Sequence, residues 1–471
     1  MVRPIPGLLT GLLLLAFFFS FSSGAVAANR IWVDPIRGSD RGSGSPDSPL
    51  RSLDQAWRRV PTNNARVEIF LAAGDYRDLS PNYWENKRGR IEIQANGAAV
   101  LPAVNLFRVA GLSFRGVTFG GDIHCELCTN FSLINVRAHL TGAWEVIKIN
   151  QSRGVTIRNS RFSGAGDNVL DLVAVQRARI FGNSFSDAGD WCGYVKGGST
   201  DVVVRDNIFR DCGTGGFTVG QGTGFQFMTP PFLHYEANGV VVARNTVVDA
   251  AGAGYGVNGG YNVLFLDNVA FQVGQRSHLV EVVYGLRSCD GSPEMNDPVR
   301  LRCDRYLRSG GWGTTRVDSA PGGVINIPNR NVFFIGNVFS SPTNAWTGDQ
   351  AFMSLRGPIG SQPGSRVPDQ ASGDSRLIFR RNIFWTQPAG IELGLGSACQ
   401  SGNPSCNSSQ LRRDNLFNRW QPGLRRTASG RLAAAGAAAG YRSRRAVPAP
   451  DWRHLPSGRP PWRSWPLAGL R

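Results

Sequence analysis

Lys87, Lys148 and Lys196 are the only lysines among 51 lysine and arginine residues in a chain of 471. Arginine serves wherever a permanent charge suffices, because its guanidinium does not release a proton in a protein. A crowded or desolvated lysine does, so a lysine kept against this bias is a candidate base. Asp171 lies between Lys148 and Lys196, and Glu145 precedes Lys148 by three residues. The four side chains form either a proton-transfer group or a surface ladder of ion pairs. Asp167, Asp171, Asp187 and Asp190 are a second group. Carboxylates this dense repel unless a cation lies between them. They are a candidate Ca²⁺ site, with oxygen ligands. Two of them could instead be the acid and base of a hydrolase, and aspartates in Ala-Gly-Asp turns also cap their own backbone. His234 and Glu236 in PPFLHYEANG, and Arg276 and His278 ahead of Glu281, add further acid–base and carboxylate-binding types. Trp191, Tyr194 and Phe225 offer rings that could stack on a ligand.

The elements that must position these residues are short and repetitive. β-branched runs recur, each ending in Asn and an apolar residue: VTIRNSRF (155–162), ARIFGNSF (178–185), VVVRDNIF (202–209), VVVARNTV (240–247), VLFLDNVAF (263–271), FFIGNVF (333–339) and IFRRNIF (378–384). Phe162, Phe185 and Phe209 mark nearly equal intervals along the chain. FSLINVRA (131–138) is an earlier copy. A period near 23 built of period-2 strands predicts an all-β fold, a single-stranded parallel β-helix, in which each coil sits about 4.8 Å above the one before. Apolar residues fill the bore, and the recurring Asn stacks at a turn, its side chain bonding to the next rung's backbone. A leucine-rich repeat would need LxxLxL rungs, and a propeller would need blades of about 40 residues. Longer gaps near 221–236, 284–325 and 340–375 predict inserted loops.

Aligning the coils gives a register for the third strand of each: EVIKIN (145–150), NVLDLV (168–173), CGYVKG (192–197), GFTVG (216–220), GYGVN (254–258) and LVEVV (279–283). Alternation points Ile149, Leu172, Val195, Val219, Val257 and Val282 inward. It puts Tyr255 inward as well. Lys148, Asp171, Tyr194, Thr218, Gly256 and Glu281 then form one outward file. Asn150, Val173, Lys196, Gly220, Asn258 and Val283 form the next. The lysines and aspartates of the first group become vertical neighbours.

At the N-terminus, Ile31-Trp32-Val33-Asp34 reads as a strand. Ser52 and Gln55 read as a capping box. Leu53, Ala56, Trp57 and Val60 follow at helical spacing, a short helix that plugs the open end of the stack. RVEIFLAAGDY (66–76) and RIEIQANG (90–97) are the first coils. With WVDPIRGSDRGSGSPDSPLRSLDQAW (32–57), the AAGDY element and the Asn-capped rungs, the chain resembles the right-handed parallel β-helix proteins of the pectate-lyase-like superfamily over about 31–420. The resemblance implies a secreted protein acting on an acidic, uronate-containing polysaccharide, by β-elimination or C5 epimerisation. Both begin with proton removal at C5, and need a base, a positive group on the carboxylate, and often Ca²⁺. Lys148 or Lys196 is then the base, with His278 and His234 as alternatives. Arg276 meets the carboxylate, and Glu145, Trp191, Tyr194, Asn258 and Glu281 contact sugar. Asp167, Asp171, Asp187 and Asp190 hold the cation. A hydrolase with paired Asp and a non-catalytic wall or matrix binder are the competing readings.

Residues 1–27 read as a signal peptide: Arg3, an apolar run over 8–21, and Ala25-Val26-Ala27. That run is shorter than the roughly 20 residues of a membrane span, so no span is expected after cleavage. Residues 28–60 form the N-terminal strand and capping helix, and 61–424 the β-helix. Residues 425–471 form an Arg/Pro/Ala-rich tail expected to be disordered. From Arg419 onward there are 11 arginines and one acid, Asp451, so most of the net charge of +17 sits there. Polyanion anchoring is one use for it. Export and the absence of a folded recognition motif argue against nucleic acid. Sequence motifs for organic cofactors (a P-loop, or GxGxxG on a βαβ unit) are absent, and a monomer is expected. Eight cysteines in an exported chain favour disulfides. Cys289–Cys303 and Cys399–Cys406 are the easy local pairs. Cys125 and Cys128, flanked by His124 and Glu126, form either a disulfide or half of a zinc site that lacks a second CxxC.

Overall fold

The computed structural model describes residues 28–224, 235–288, 325–342, 350–356, 374–387, 389–396 and 406–426, with isolated positions between and beyond them. The expected leader and nearly all of the basic tail lie outside these residues. Among the described residues, no helix is long and apolar enough to cross a membrane.

The chain winds as a parallel β-helix. Each full coil gives two strands to a 22-stranded sheet and one to a 10-stranded sheet. One coil shows the pattern: Ile147–Asn150 on the short sheet, then Arg153–Arg158 and Arg161–Ala165 on the long one. Every pairing between successive coils in these two sheets is parallel. The bore is filled as the alternation predicts. Phe162, Phe185 and Phe209 stack with centroids 5.6 and 5.4 Å apart, and Phe265, Phe334 and Phe379 continue the filling at 4.3 and 4.6 Å.

One turn carries the recurring asparagines. Asn183, Asn207, Asn245, Asn268, Asn337, Asn382 and Asn415 form a buried column. From Asn207 onward, the Oδ1 of each accepts both the backbone N–H and the side-chain N–H of the asparagine one coil earlier, at 2.8–3.1 Å, and Asn183 Oδ1 accepts the Ser160 N–H at 3.0 Å. The side chain therefore bonds to the backbone of the preceding coil, not to that of the next one as expected. The residue ahead of the first six column members turns left-handed: Gly182, Asp206, Arg244, Asp267, Gly336 and Arg381 have φ between 52° and 68°. This explains the Asp-Asn and Gly-Asn pairs of the repeat, because short polar residues and glycine tolerate that conformation best.

The helix Leu53–Arg59 closes the N-terminal end. Ser52 Oγ accepts the Gln55 N–H at 3.1 Å, and Trp57 packs on Trp84 at 4.8 Å. Disulfides join Cys125 to Cys128, Cys192 to Cys212 and Cys399 to Cys406. The first excludes the zinc reading of Cys125 and Cys128. The second was not evident from spacing: Cys192 lies near the start of the short-sheet strand Trp191–Lys196 and Cys212 ends the long-sheet strand Ile208–Cys212 at the close of the same coil, so only the winding brings them together. Cys289 and Cys303 lie outside the described residues.

Candidate functional site

The short sheet carries the expected register. Ile147, Lys148, Ile149 and Asn150 pair with Leu170, Asp171, Leu172 and Val173, which pair in turn with Gly193, Tyr194, Val195 and Lys196. The series continues through Thr218 and Gly256 to Glu281. Upstream, Lys148 pairs with His124, and His124 with Asn105. The outward file is therefore Asn105–His124–Lys148–Asp171–Tyr194–Thr218–Gly256–Glu281. Its upstream rungs floor a cleft of about 480 Å³ lined by Asn82, Ala103, Val104, Asn105, Asp122, His124, Glu145, Lys148 and Asn150.

Lys148 sits between two carboxylates. Its Nζ lies 2.5 Å from Glu145 Oε1 and 3.3 Å from Asp171 Oδ2, and Asp171 is 2% exposed. Partial burial works against the ammonium, but Asp171 and Glu145 outweigh it and raise its pKa. Lys148 is thereby held toward its charged form, which suits a cation more than a base. Lys196 behaves oppositely. Burial, aided by Lys148, lowers its pKa against the pull of Asp171. Its ammonium lies 4.1 Å from the Tyr194 ring centroid and donates to Gln221 Oε1 at 3.2 Å.

Tyr194 and Trp191 are each 3% exposed. The Trp191 ring lies so close over Gly215 and Gly256 that a Cβ on either glycine would come within 2.3 and 2.8 Å of it. Both rings are packing elements, not open platforms for sugar. Burial, with Asp171 alongside, pushes the Tyr194 hydroxyl pKa up. Tyr255 points inward, as the register requires, and is fully buried.

The four aspartates do not converge. Asp167 and Asp190 occupy equivalent turn positions, Asp190 N–H donating to Asp167 O at 3.0 Å. Asp187 belongs to the strand Ser184–Ala188 of the long sheet, with its side chain beside Ser186 Oγ. Among the described residues, no group of three or more His, Cys, Asp or Glu side chains is arranged to hold a metal ion. Burial raises the Asp167 pKa, reinforced by Asp190 and Glu145.

Farther down the file, Thr218 Oγ1 donates to Asn258 Oδ1 at 2.6 Å, and Asn258 Nδ2 to Glu281 Oε1 at 2.8 Å. His278 Nε2 lies 3.3 Å from Glu281 Oε2. Burial alone would raise the Glu281 pKa, but the bonds from His278 and Asn258 outweigh it and lower it. Arg276 is exposed on the turn ahead of this strand. His234 and Phe225 lie outside the described residues. Glu236 is fully buried and ion-paired with Arg287, its Oε2 accepting Gly197 N–H and Thr223 Oγ1–H at 2.9 Å each. It secures a turn and does not face the cleft.

His124 is the residue that reading the sequence for chemistry passed over, having been weighed only beside the two cysteines. Moving the register back by one coil from Lys148 finds it. Its Nδ1 bonds Asn105 Oδ1 at 3.0 Å, which leaves the ring lone pair on Nε2, 3.4 Å from Asn150 Nδ2. Burial lowers its pKa, and Lys148 adds to the effect against the nearby Glu126. Asn150 Oδ1 is buried without a hydrogen-bond partner among the described residues.

A family model described as a right handed beta helix region matches residues 122–295. The fold is a right-handed parallel β-helix. A complex of XylC with xylose superposes with a TM-score of 0.52 at 10% identity, covering 86% of this chain and 89% of that one. A rhamnogalacturonan lyase gives 0.42 at 12% identity, covering 69% and 85%. The GH136 lacto-N-biosidase from Eubacterium ramulus gives 0.38 at 11%, covering 83% and 67%. No curated protein sequence matches the chain.

Proposed function

We propose that this β-helix is a secreted carbohydrate-active enzyme that takes a proton from C5 of a uronate unit in a polysaccharide. The observation that carries the reading is a neutral-leaning imidazole and a fixed cation on adjacent rungs of one open cleft. Rungs are about 4.8 Å apart, a spacing that lets one sugar ring reach both. The Lys148 ammonium meets the uronate carboxylate and stabilises the negative charge that develops as the C5–H bond breaks. His124 Nε2 accepts that proton. In β-elimination the electron pair then expels the C4–O leaving group and leaves a C4–C5 double bond. In epimerisation C5 takes a proton back on its opposite face. Asn105 holds the His124 tautomer that keeps Nε2 free of a proton. The cleft also carries Asp122 and Glu145, so a divalent cation entering with the substrate would help a polyanion to bind.

The test is a panel of pectate, alginate and neutral glycans, with and without chelator. Growth of absorbance in the unsaturated-uronate band reports elimination, and deuterium uptake at C5 reports epimerisation. His124→Ala and Lys148→Met should each abolish the signal, and full activity in either variant refutes the assignment. A hydrolase is the second reading, favoured by the raised pKa of Asp167 beside Glu145, which suits a general acid. It predicts new reducing ends without unsaturated product. Binding without turnover would identify a wall or matrix binder.

A further inference from the structure

The turn leading into the short sheet repeats in successive coils with one exception. Ala143, Ala165, Ala188 and Cys212 pair in register, so Trp144, Gly166, Gly189 and Gly213 occupy one position and Glu145, Asp167, Asp190 and Thr214 the next. The later coils need glycine there. A Cβ on Gly189 would sit 2.0 Å from Gly166 O, and one on Gly213 1.9 Å from Gly189 O. Trp144 begins this column, and the strand before it departs from register between His139 and Ala143. Its backbone joins the stack, its carbonyl accepting the Asp167 N–H at 2.9 Å. Its ring is 69% exposed. Glycine fills the position three times over, so the fold has no need of an indole there.

A second exposed ring lies beside the cleft, next to its lining residue Asn82. Trp84 pairs with Leu106, which places Tyr83 one rung before Asn105 in the outward file. Tyr83 is 68% exposed, follows the cleft residue Asn82, and stands two rungs from His124, about 10 Å along the axis. Beside a polar cleft, the flat apolar faces of such rings match the C–H face of a pyranose.

Resting on the reading above, we propose that Trp144 is the stacking platform of a sugar subsite beside Glu145 and Lys148, and that Tyr83 is the platform of a second subsite on the opposite side of His124. The polysaccharide chain then lies along the coil axis across His124 and Lys148.

The stack itself supplies a conservative variant. Trp144→Gly installs the residue that the next three coils carry, and its melting temperature should match that of the unmodified protein. With the polyuronate that is turned over, Trp144→Gly should raise KM about tenfold, a loss of roughly 1.4 kcal/mol, with kcat within about twofold, and Trp144→Phe should restore most of it. Tyr83→Ala should raise KM for long chains and leave it unchanged for the shortest cleaved oligomer. Affinity electrophoresis in gels of polygalacturonate, polymannuronate and xylan reads binding independently of turnover. There Trp144→Gly should lose retardation that His124→Ala keeps. Equal KM and equal retardation for Trp144→Gly and the unmodified protein would overturn the subsite, as would no retardation of the unmodified protein in any gel. Retardation lost in Trp144→Gly without turnover by the unmodified protein would uphold the subsite and sink the C5 chemistry.

Discussion

Upstream of Tyr194, the outward file is crowded with opposed charges around an open cleft. Lys148 is pinned by two carboxylates, His124 is biased toward its neutral form, Asp167 toward its protonated form, and Asn150 Oδ1 has no partner among the described residues. Downstream, Thr218, Asn258, Glu281 and His278 join in a continuous string of contacts, and Thr218 and Asn258 are buried. The two stretches lie along one face of the short sheet and share one backbone geometry. What separates them is saturation. The downstream groups satisfy one another and fix the fold, whereas the upstream groups hold charge states that suit a substrate.

The largest expected difference is in turnover. His124→Ala should lower kcat/KM by about 10²- to 10⁴-fold, the usual worth of a positioned proton acceptor, while His278→Ala should change it less than about threefold. Steady-state rates on the responsive polyuronate decide this, and comparable losses in both variants would erase the distinction. The next difference is in stability. Asn258→Ala leaves the buried Thr218 hydroxyl and the Glu281 carboxylate each short of a partner, and should cost about 1–3 kcal/mol in denaturant unfolding with kcat unchanged. An equal cost with lost turnover would place the string within the catalytic apparatus.

The smallest effects are opposite pH slopes. Asp167 has a raised pKa, so the folded protein holds that proton more tightly than the unfolded chain, and stability falls as pH rises through the folded value. Glu281 has a lowered pKa. Its contribution is present above the unfolded value and is lost as pH falls through the folded one. Asp167→Asn should flatten the first slope and Glu281→Gln the second, read from denaturant midpoints across a pH series. Asp374, pushed up to about 7 by burial, adds to the Asp167 slope between about 3.9 and 7. Asp374→Asn should remove that share.

Much of this was legible in the sequence, for a physical reason. A near-constant coil repeat fixes which side chains align, so the strand register, the file from Lys148 to Glu281, the inward Tyr255 and the capping helix at 53–59 all follow from counting and alternation. Orientation alone does not give surroundings. Trp191 looks like a platform until Gly215 and Gly256 are seen to receive its ring. Lys148 is a candidate base by type, but Glu145 and Asp171 on either side favour its charged form. The four aspartates look like a cation site because they are near in sequence, but Asp187 belongs to a different sheet. His124 was hidden by the neighbouring cysteines, and Cys192–Cys212 by the distance a single winding spans.

The asparagine column has one more consequence. Each member bonds to the coils directly adjoining its own, and the left-handed residue ahead of the first six recurs with the winding, as between Asn245 and Asn268, 23 residues apart. A segment of that length duplicated in frame would extend the column by one member and lengthen the groove by one step, leaving the rest of the molecule unaltered. Groove length in such a protein is therefore a whole number, open to change by copying a piece of gene and independent of the chemistry at any single rung.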